Sequence, residues 1–584
     1  MKKNRIFAAA LTAIFAALPF TMEAIPAMPG LRAITQSDGT VLNARLVGDE
    51  YGHMWLSEDN YPMTQVDGIF YFATTDASGC LVSSGIRAQA PEMRSQEAQN
   101  FLRKVNADSE LAAVAERNIA RREAIQAPHF KTSDDAPMRI TGTGIPEGSS
   151  MLTFDFPHLG EHRSPVVLVE YTDVKFQIAN PKEFFNRMTN EEGFSEYDFP
   201  GSIHDYFVAS SNGRYKPVYD VYEPITLAHE MAYYGANVNG EDVRPNEMVL
   251  EAVDQLAAKG VDFSKYDANG DGYIDNIVVI YAGEGEGTGG VANSVWQHLG
   301  WAQGTKEYNG VKVDVHVCVN EWMQQGMINQ PSGMGVFVHE FSHALGLPDE
   351  YDPYYKNTNT PGPWSVMDMG CHLNYTLNPC LHSVYEAYCL GWNDVEILEG
   401  PQDLVLQPHG KCYAIDTDKR VEFYMFEARY PEGWDAYFDN SGLLVWHIDY
   451  SGPIWKRNTP NMYADHMRID LIEADNKEGD GTRKNDPFPG RSGQYTEFSA
   501  TTTPALLAWS GYDMGLALTN ITRNDDKTVS LSVTDSSGIS AIEKDDTNTA
   551  PVEYFDVYGR RVIDPAKGQL LIRRQGDDVQ KILN

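Results

Sequence analysis

His339 and His343 stand four residues apart, with Glu340 directly after the first, in the run HEFSHALGLPD over 339–349. On a helix, positions four apart lie about 40° from one another on one face. Two imidazoles so placed can hold one Zn²⁺. Glu340 projects beside them, where it can take the proton of a water acidified by the metal as that water attacks a carbonyl. Gly346 allows the chain to leave the helix with positive φ. The chain can then bring round Asp349, ten positions after the first histidine. A carboxylate is a competent zinc ligand, and the extended form of this template puts the third ligand three residues after the glycine. Asp349 is therefore expected as that ligand, with the adjacent and longer Glu350 as the alternative.

Met367 follows in WSVMDMG, 364–370, at a distance suited to a tight turn beneath such a metal. A methionine there would floor the ligand cage without ligating. Met369 stands two residues further on, where peptidases with this turn carry a tyrosine, so the oxyanion-stabilising group is unassigned and Tyr375 is the candidate. HEFSHALGLPDEYD, WSVMDMG and LGW at 390–392 together resemble the immune inhibitor A family of secreted bacterial zinc metallopeptidases. SIHDYFVASSNGRYKP at 202–217, YDANGDGYIDNIVVIYAG at 266–283 and GLLVWHID at 442–449 agree with it. The resemblance runs from about 166 to 449. It implies a metzincin-like α+β catalytic domain, endopeptidase action on proteins or peptides, His339, His343 and Asp349 as zinc ligands, and Glu340 as base.

A second cation signal lies in DANGDGYID, 267–275. Asp267, Asn269, Asp271 and Asp275 place oxygens at alternate or near-alternate positions around Gly272, as in the first nine positions of a calcium loop. The twelfth position is Val278, so this is not an EF-hand; the expectation is a structural Ca²⁺. Cys80, in SGCLVSSG, is a further thiol that could reach the zinc.

These residues need elements to hold them. Apolar runs at 165–171 and 274–282 read as buried strands, and 180–189 and 244–260 as helices, with the active-site helix over about 335–345. Strands alternating with helices indicate a catalytic domain with a mixed sheet over 151–400. Upstream, 25–150 reads as a small β-plus-helix pro-segment ending in a Pro/Gly/Ser/Thr/Asp-rich linker at 127–150, where proteolytic nicking is expected. Downstream, 401–536 reads as β-rich and sandwich-like. The segment 551–584, with VEYFDVYGRRVIDPAKGQLLIRR over 552–574, reads as a small β-module resembling type IX secretion-sorting domains, and so implies contact with secretion machinery.

Residues 1–24 carry a basic start, an apolar stretch and small residues at Ala24 and Ala27, the pattern of a signal peptide. A secreted or cell-surface location is expected, with no membrane span in the mature chain. The net charge of −36 over 584 residues argues against nucleic acid as a partner. The six cysteines permit disulfides in an oxidising compartment, with free buried thiols as the alternative. Two rival functions remain in view. One is a catalytically silent surface adhesin on the same fold, which would have no need of Glu340. The other is a zinc aminopeptidase, which the ligand spacing disfavours.

Overall fold

The computed structural model describes residues 21–23, 27, 30–126, 156–536 and 552–583, apart from short breaks at 291–292, 326, 355–358, 420, 456, 478, 480, 556–559, 563–569 and 576–577. The expected nicking linker and most of the expected signal peptide lie outside these residues.

The catalytic region is built on a mixed eight-stranded sheet. Gly160–Glu170, Ile277–Glu284 and Val315–Gln325 run parallel through its centre, with Val278 opposite both Val166 and Val317. Their unbroken apolar runs are explained by cover on both faces, as parallel strands require. The active-site helix Met334–Ala344 and the helices Pro181–Asn190 and Ile203–Ser210 pack on one face. Pro245–Ala258 packs on the other, through Met248, Val249, Ala252 and Val253. Antiparallel strands His298–Trp301 and Ile328–Pro331 flank Val315–Gln325. Of the expected signal peptide only Thr21–Glu23 is described, as an edge strand against Leu299–Trp301.

The N-terminal module is a six-stranded antiparallel meander from Arg32–Thr35 to Leu81–Arg87, followed by helices Gln96–Leu102 and Ala107–Gln126. The helical part expected within 25–150 is thus two helices after a short 3-10 turn. Ser95 caps the first of them, its hydroxyl accepting from the Ala98 N–H.

After the catalytic region, a five-stranded sheet centred on Glu422–Arg429 and Gly442–Asp449 faces a three-stranded sheet of Gln402–Leu406, Leu516–Arg523 and Val529–Asp535. Both central strands are buried along their whole length. Tyr424, Phe426, Leu443 and Val445 turn to the three-stranded sheet. Phe423, Met425, Leu444 and Trp446 turn the other way and join the catalytic core. The apolar interior therefore runs across residue 400 without a break. Residues 535–584 form a separate unit holding a small four-stranded antiparallel sheet. Among the described residues, no helix is long and apolar enough to cross a membrane. All six cysteines are free, so none of the disulfides that the sequence permits is present.

Candidate metal centre

The helix that carries HEFSH is buried on every side. Its start is pressed against the loop after Met367. The Gly335 N–H donates to the Thr376 carbonyl at 2.8 Å, and a Cβ at Gly335 would fall 1.9 Å from the Cys371 carbonyl oxygen. No side chain fits there. Further along, the Ser342 hydroxyl donates to Val338 and contacts His382 Nε2 at 2.9 Å. His382 in turn meets Ser210 at 2.7 Å, tying this helix to Ile203–Ser210. Gly346, at φ 105°, ends the helix and turns the chain back.

That turn brings Asp349 onto the two histidines. His339 Nε2 and His343 Nε2 are 3.1 Å apart, and Asp349 Oδ1 lies 3.3 Å from the first and 3.1 Å from the second. A tetrahedral zinc with ligands at about 2.0–2.2 Å would hold its donors roughly 3.3–3.6 Å apart. The donor triangle thus has nearly the size of such a cage. Each histidine places Nδ1 on a carbonyl, His339 on Val366 at 2.9 Å and His343 on Leu347 at 2.8 Å. A carbonyl only accepts, so both Nδ1 atoms carry the proton and both Nε2 lone pairs face the centre. Burial opposes the Asp349 charge, but His343 and His339 outweigh it and hold its carboxyl below the ordinary range. The donor set and the tautomers fit zinc.

Asp349 is itself held. Its N–H donates to Asn458 Oδ1 at 2.6 Å, and the Asn458 amide donates to Asp349 Oδ2. Nothing in the local sequence marks Asn458, which arrives from beyond the catalytic region. Glu350, the alternative ligand, turns elsewhere: its carboxyl is pushed well above the ordinary range by burial and by the Glu386 charge, with Ser365 beside it. Glu386 is a second residue that the sequence reading missed. It accepts from Ser365 Oγ at 2.6 Å and from the Met367 N–H at 3.2 Å, while the Met367 carbonyl accepts from the Glu350 N–H at 2.9 Å. The Met367 turn is thereby stitched to the ligand loop. Glu340 is fully buried on the same helix.

Other sequence candidates fall away from the cage. Tyr375 is 50 % exposed at a left-handed turn. Cys80 sits in a turn of the N-terminal module, its N–H donating to Asp76 Oδ1 at 3.0 Å, and among the described residues it belongs to no group of three or more such donors. In the 267–275 loop, Asp267 accepts the N–H groups of Gly270, Asp271 and Gly272, and Asp275 accepts that of Ala268 at 3.0 Å. Among the described residues, its carboxylates do not form a set with ligand atoms within 4.8 Å of one another, as His339, His343 and Asp349 do.

The tip of an N-terminal hairpin docks on this centre. The Gly48 N–H donates to the Pro353 carbonyl at 2.8 Å, and Asn118 Nδ2 donates to the Tyr354 hydroxyl at 2.6 Å. Arg122 pairs with Asp49 and donates to the Asn458 carbonyl at 2.8 Å. Glu50, at the tip itself, is 3 % exposed, and neither carboxylate oxygen has a hydrogen-bond partner. The charges of Asp349 and Glu340 both act on it.

Comparison with known proteins gives two results. Residues 166–379 match the family model described as immune inhibitor A peptidase M6, catalytic domain. The chain is 30 % identical over 245 residues to "Immune inhibitor A" of Bacillus thuringiensis subsp. alesti, covering 35 % of this chain and 36 % of that protein. It is 29 % identical over 244 residues to "Pre-pro-metalloprotease PrtV" of Vibrio cholerae serotype O1 (strain M66-2), covering 38 % and 26 % respectively. The matched part thus spans about a third or less of each relative.

Proposed function

We propose that this chain, which carries an immune inhibitor A (peptidase M6) catalytic domain over 166–379, is a secreted zinc-dependent endopeptidase acting on proteins. The observation that carries the reading is the triangle of His339 Nε2, His343 Nε2 and Asp349 Oδ1, with both imidazoles locked in the ligating tautomer. A zinc ion held there supplies Lewis acidity and lowers the pKa of water. Glu340, one residue after His339, takes the proton of the attacking water and passes it to the leaving amine. Asn458 keeps Asp349 on the cage, and Glu386 fixes the Met367 turn beside it. Metal content measured with casein hydrolysis, with and without chelator, tests the reading. A chain that binds zinc and cleaves nothing once freed of its N-terminal module would overturn it.

The N-terminal module acts as a pro-segment that holds the enzyme latent. The docking of residues 48–50 on the ligand loop supports this, and cleavage at 127–150 would release the module. The loop at 267–275 holds a structural Ca²⁺ through Asp267, Asn269, Asp271 and Asp275. The terminal sheet within 552–583 serves export by meeting the secretion machinery.

A further inference from the structure

His298, His316 and Cys318 form a second cluster of donors, on neighbouring strands of the catalytic sheet. His298 stands directly opposite Cys318 in the antiparallel pairing, and His316 lies two residues before Cys318. Side chains alternate along a strand, so His316 and Cys318 project from the same face. That face carries Val167, Val169 and Val279 and packs under the helix Pro245–Ala258. It is the face opposite the active-site helix, which packs with Leu299, Val315 and Val317. The three side chains are fully buried, and their ligand atoms all lie within 4.8 Å of one another.

The hydrogen bonding of the two imidazoles decides what they can do. His298 Nδ1 faces the Trp296 carbonyl at 2.7 Å, and His316 Nδ1 faces the Asp314 carbonyl at 3.2 Å. Each Nδ1 must therefore carry the proton, which leaves each Nε2 as a bare lone pair. Neither Nε2 has a hydrogen-bond partner. The rings cannot satisfy one another, because neither has a second proton to give. Cys318 could offer one weak S–H, enough for one nitrogen at most. Two lone pairs buried in an aliphatic layer are costly without a donor or a cation.

We propose that His298, His316 and Cys318 bind a second zinc ion, distinct from the one at His339, His343 and Asp349. Two neutral imidazoles and a thiolate are a borderline-soft donor set that suits this ion. Binding releases the Cys318 proton to solvent and satisfies all three atoms at once. The three side chains leave one tetrahedral position for a further donor. Asn246, on the covering helix, has a buried Oδ1 without a hydrogen-bond partner. With no exposed ligand, the ion enters as the sheet forms and exchanges slowly.

Metal analysis and cobalt spectroscopy of the full chain test this. The parent should hold about two zinc ions and the variants Cys318→Ser and His316→Ala about one. After cobalt replacement, a near-ultraviolet thiolate-to-cobalt charge-transfer band should appear, since the first site contains no sulfur. That band should persist in His343→Ala and vanish in Cys318→Ser. If the variants fold poorly, the parent alone decides. Cobalt protein without the thiolate band overturns the proposal.

Discussion

At the scale of single residues, Glu340 and Asn458 make separable demands. Glu340→Ala leaves the three donors untouched, so zinc content should hold while casein cleavage falls about 10²–10⁴-fold. His343→Ala should lose the metal as well as the activity. Asn458→Ala spares every ligand and removes the two hydrogen bonds that orient Asp349. Loss of such a supporting partner should weaken zinc binding by about 10–100-fold, read by competition with a chromophoric chelator. Unchanged affinity would show that the helix turn alone positions Asp349. The grouping of His339, His343 and Asp349 was legible because all three sit within eleven consecutive residues, where helical geometry fixes what faces what. The sequence was silent on Asn458 and Glu386. They reach the centre through tertiary folding, from positions with no local periodicity to betray them.

At the scale of elements, the buried runs at 165–171 and 274–282 and the helices at 180–189 and 244–260 were readable from their apolar pattern, and the strand ends were not. Pro165, for example, lies inside Gly160–Glu170, whose first half is a half-exposed pairing with Tyr215–Val221. The loop at 267–275 is where calcium would act. An ion bound only by the folded state at a hundredfold excess over Kd would add about 2.7 kcal/mol. The melting temperature should rise with calcium, and Asp271→Ala should abolish the rise; an equal rise in that variant would exclude the loop. Arg429 on Glu422–Arg429 is another junction. Its guanidinium meets Asp435 through two 2.8 Å bonds and donates to the Leu381 carbonyl at 2.9 Å, all of it buried. Burial opposes the Asp435 charge, but Arg429 and His409 hold its carboxyl down at about 2. A depressed carboxyl stabilises the fold above its unfolded value of about 3.9 and loses that contribution as pH falls through about 2. The loss, about 2 kcal/mol, should appear in acid melts of the parent. Arg429→Met leaves Asp435 with His409 as its charge partner and should cost about 3–5 kcal/mol at neutral pH.

At the scale of the whole molecule, the expected boundary at 400 is a change of secondary structure rather than a seam. Leu444, Trp446, Phe423 and Met425 pack into the catalytic core, and Asn458 reaches its centre. The sequence shows where helices give way to strands; it cannot show that both faces of a later sheet are covered. A chain ending at 400 would expose that core and lack Asn458, so it should be recovered insoluble or without tight zinc. A chain ending at 536 should fold and bind zinc like the parent, because 535–584 is a separate unit. Equal zinc affinity and solubility in the shorter chain would refute the shared core.

The contact between Arg122 and Asn458 also has an order in time. The two residues are 336 positions apart, and the hairpin precedes both. At a synthesis rate of about 5–20 residues per second, roughly 20–70 s separate their appearance. The hairpin is therefore made before the residues at 353–354 and 458 that it and Arg122 contact. When Asn458 arrives to steady Asp349, Arg122 can take its carbonyl in the same event, so completion of the metal cage and closure over it coincide. A newly made chain would then pass through no stage at which a finished cleft stands open to its own unfolded neighbours.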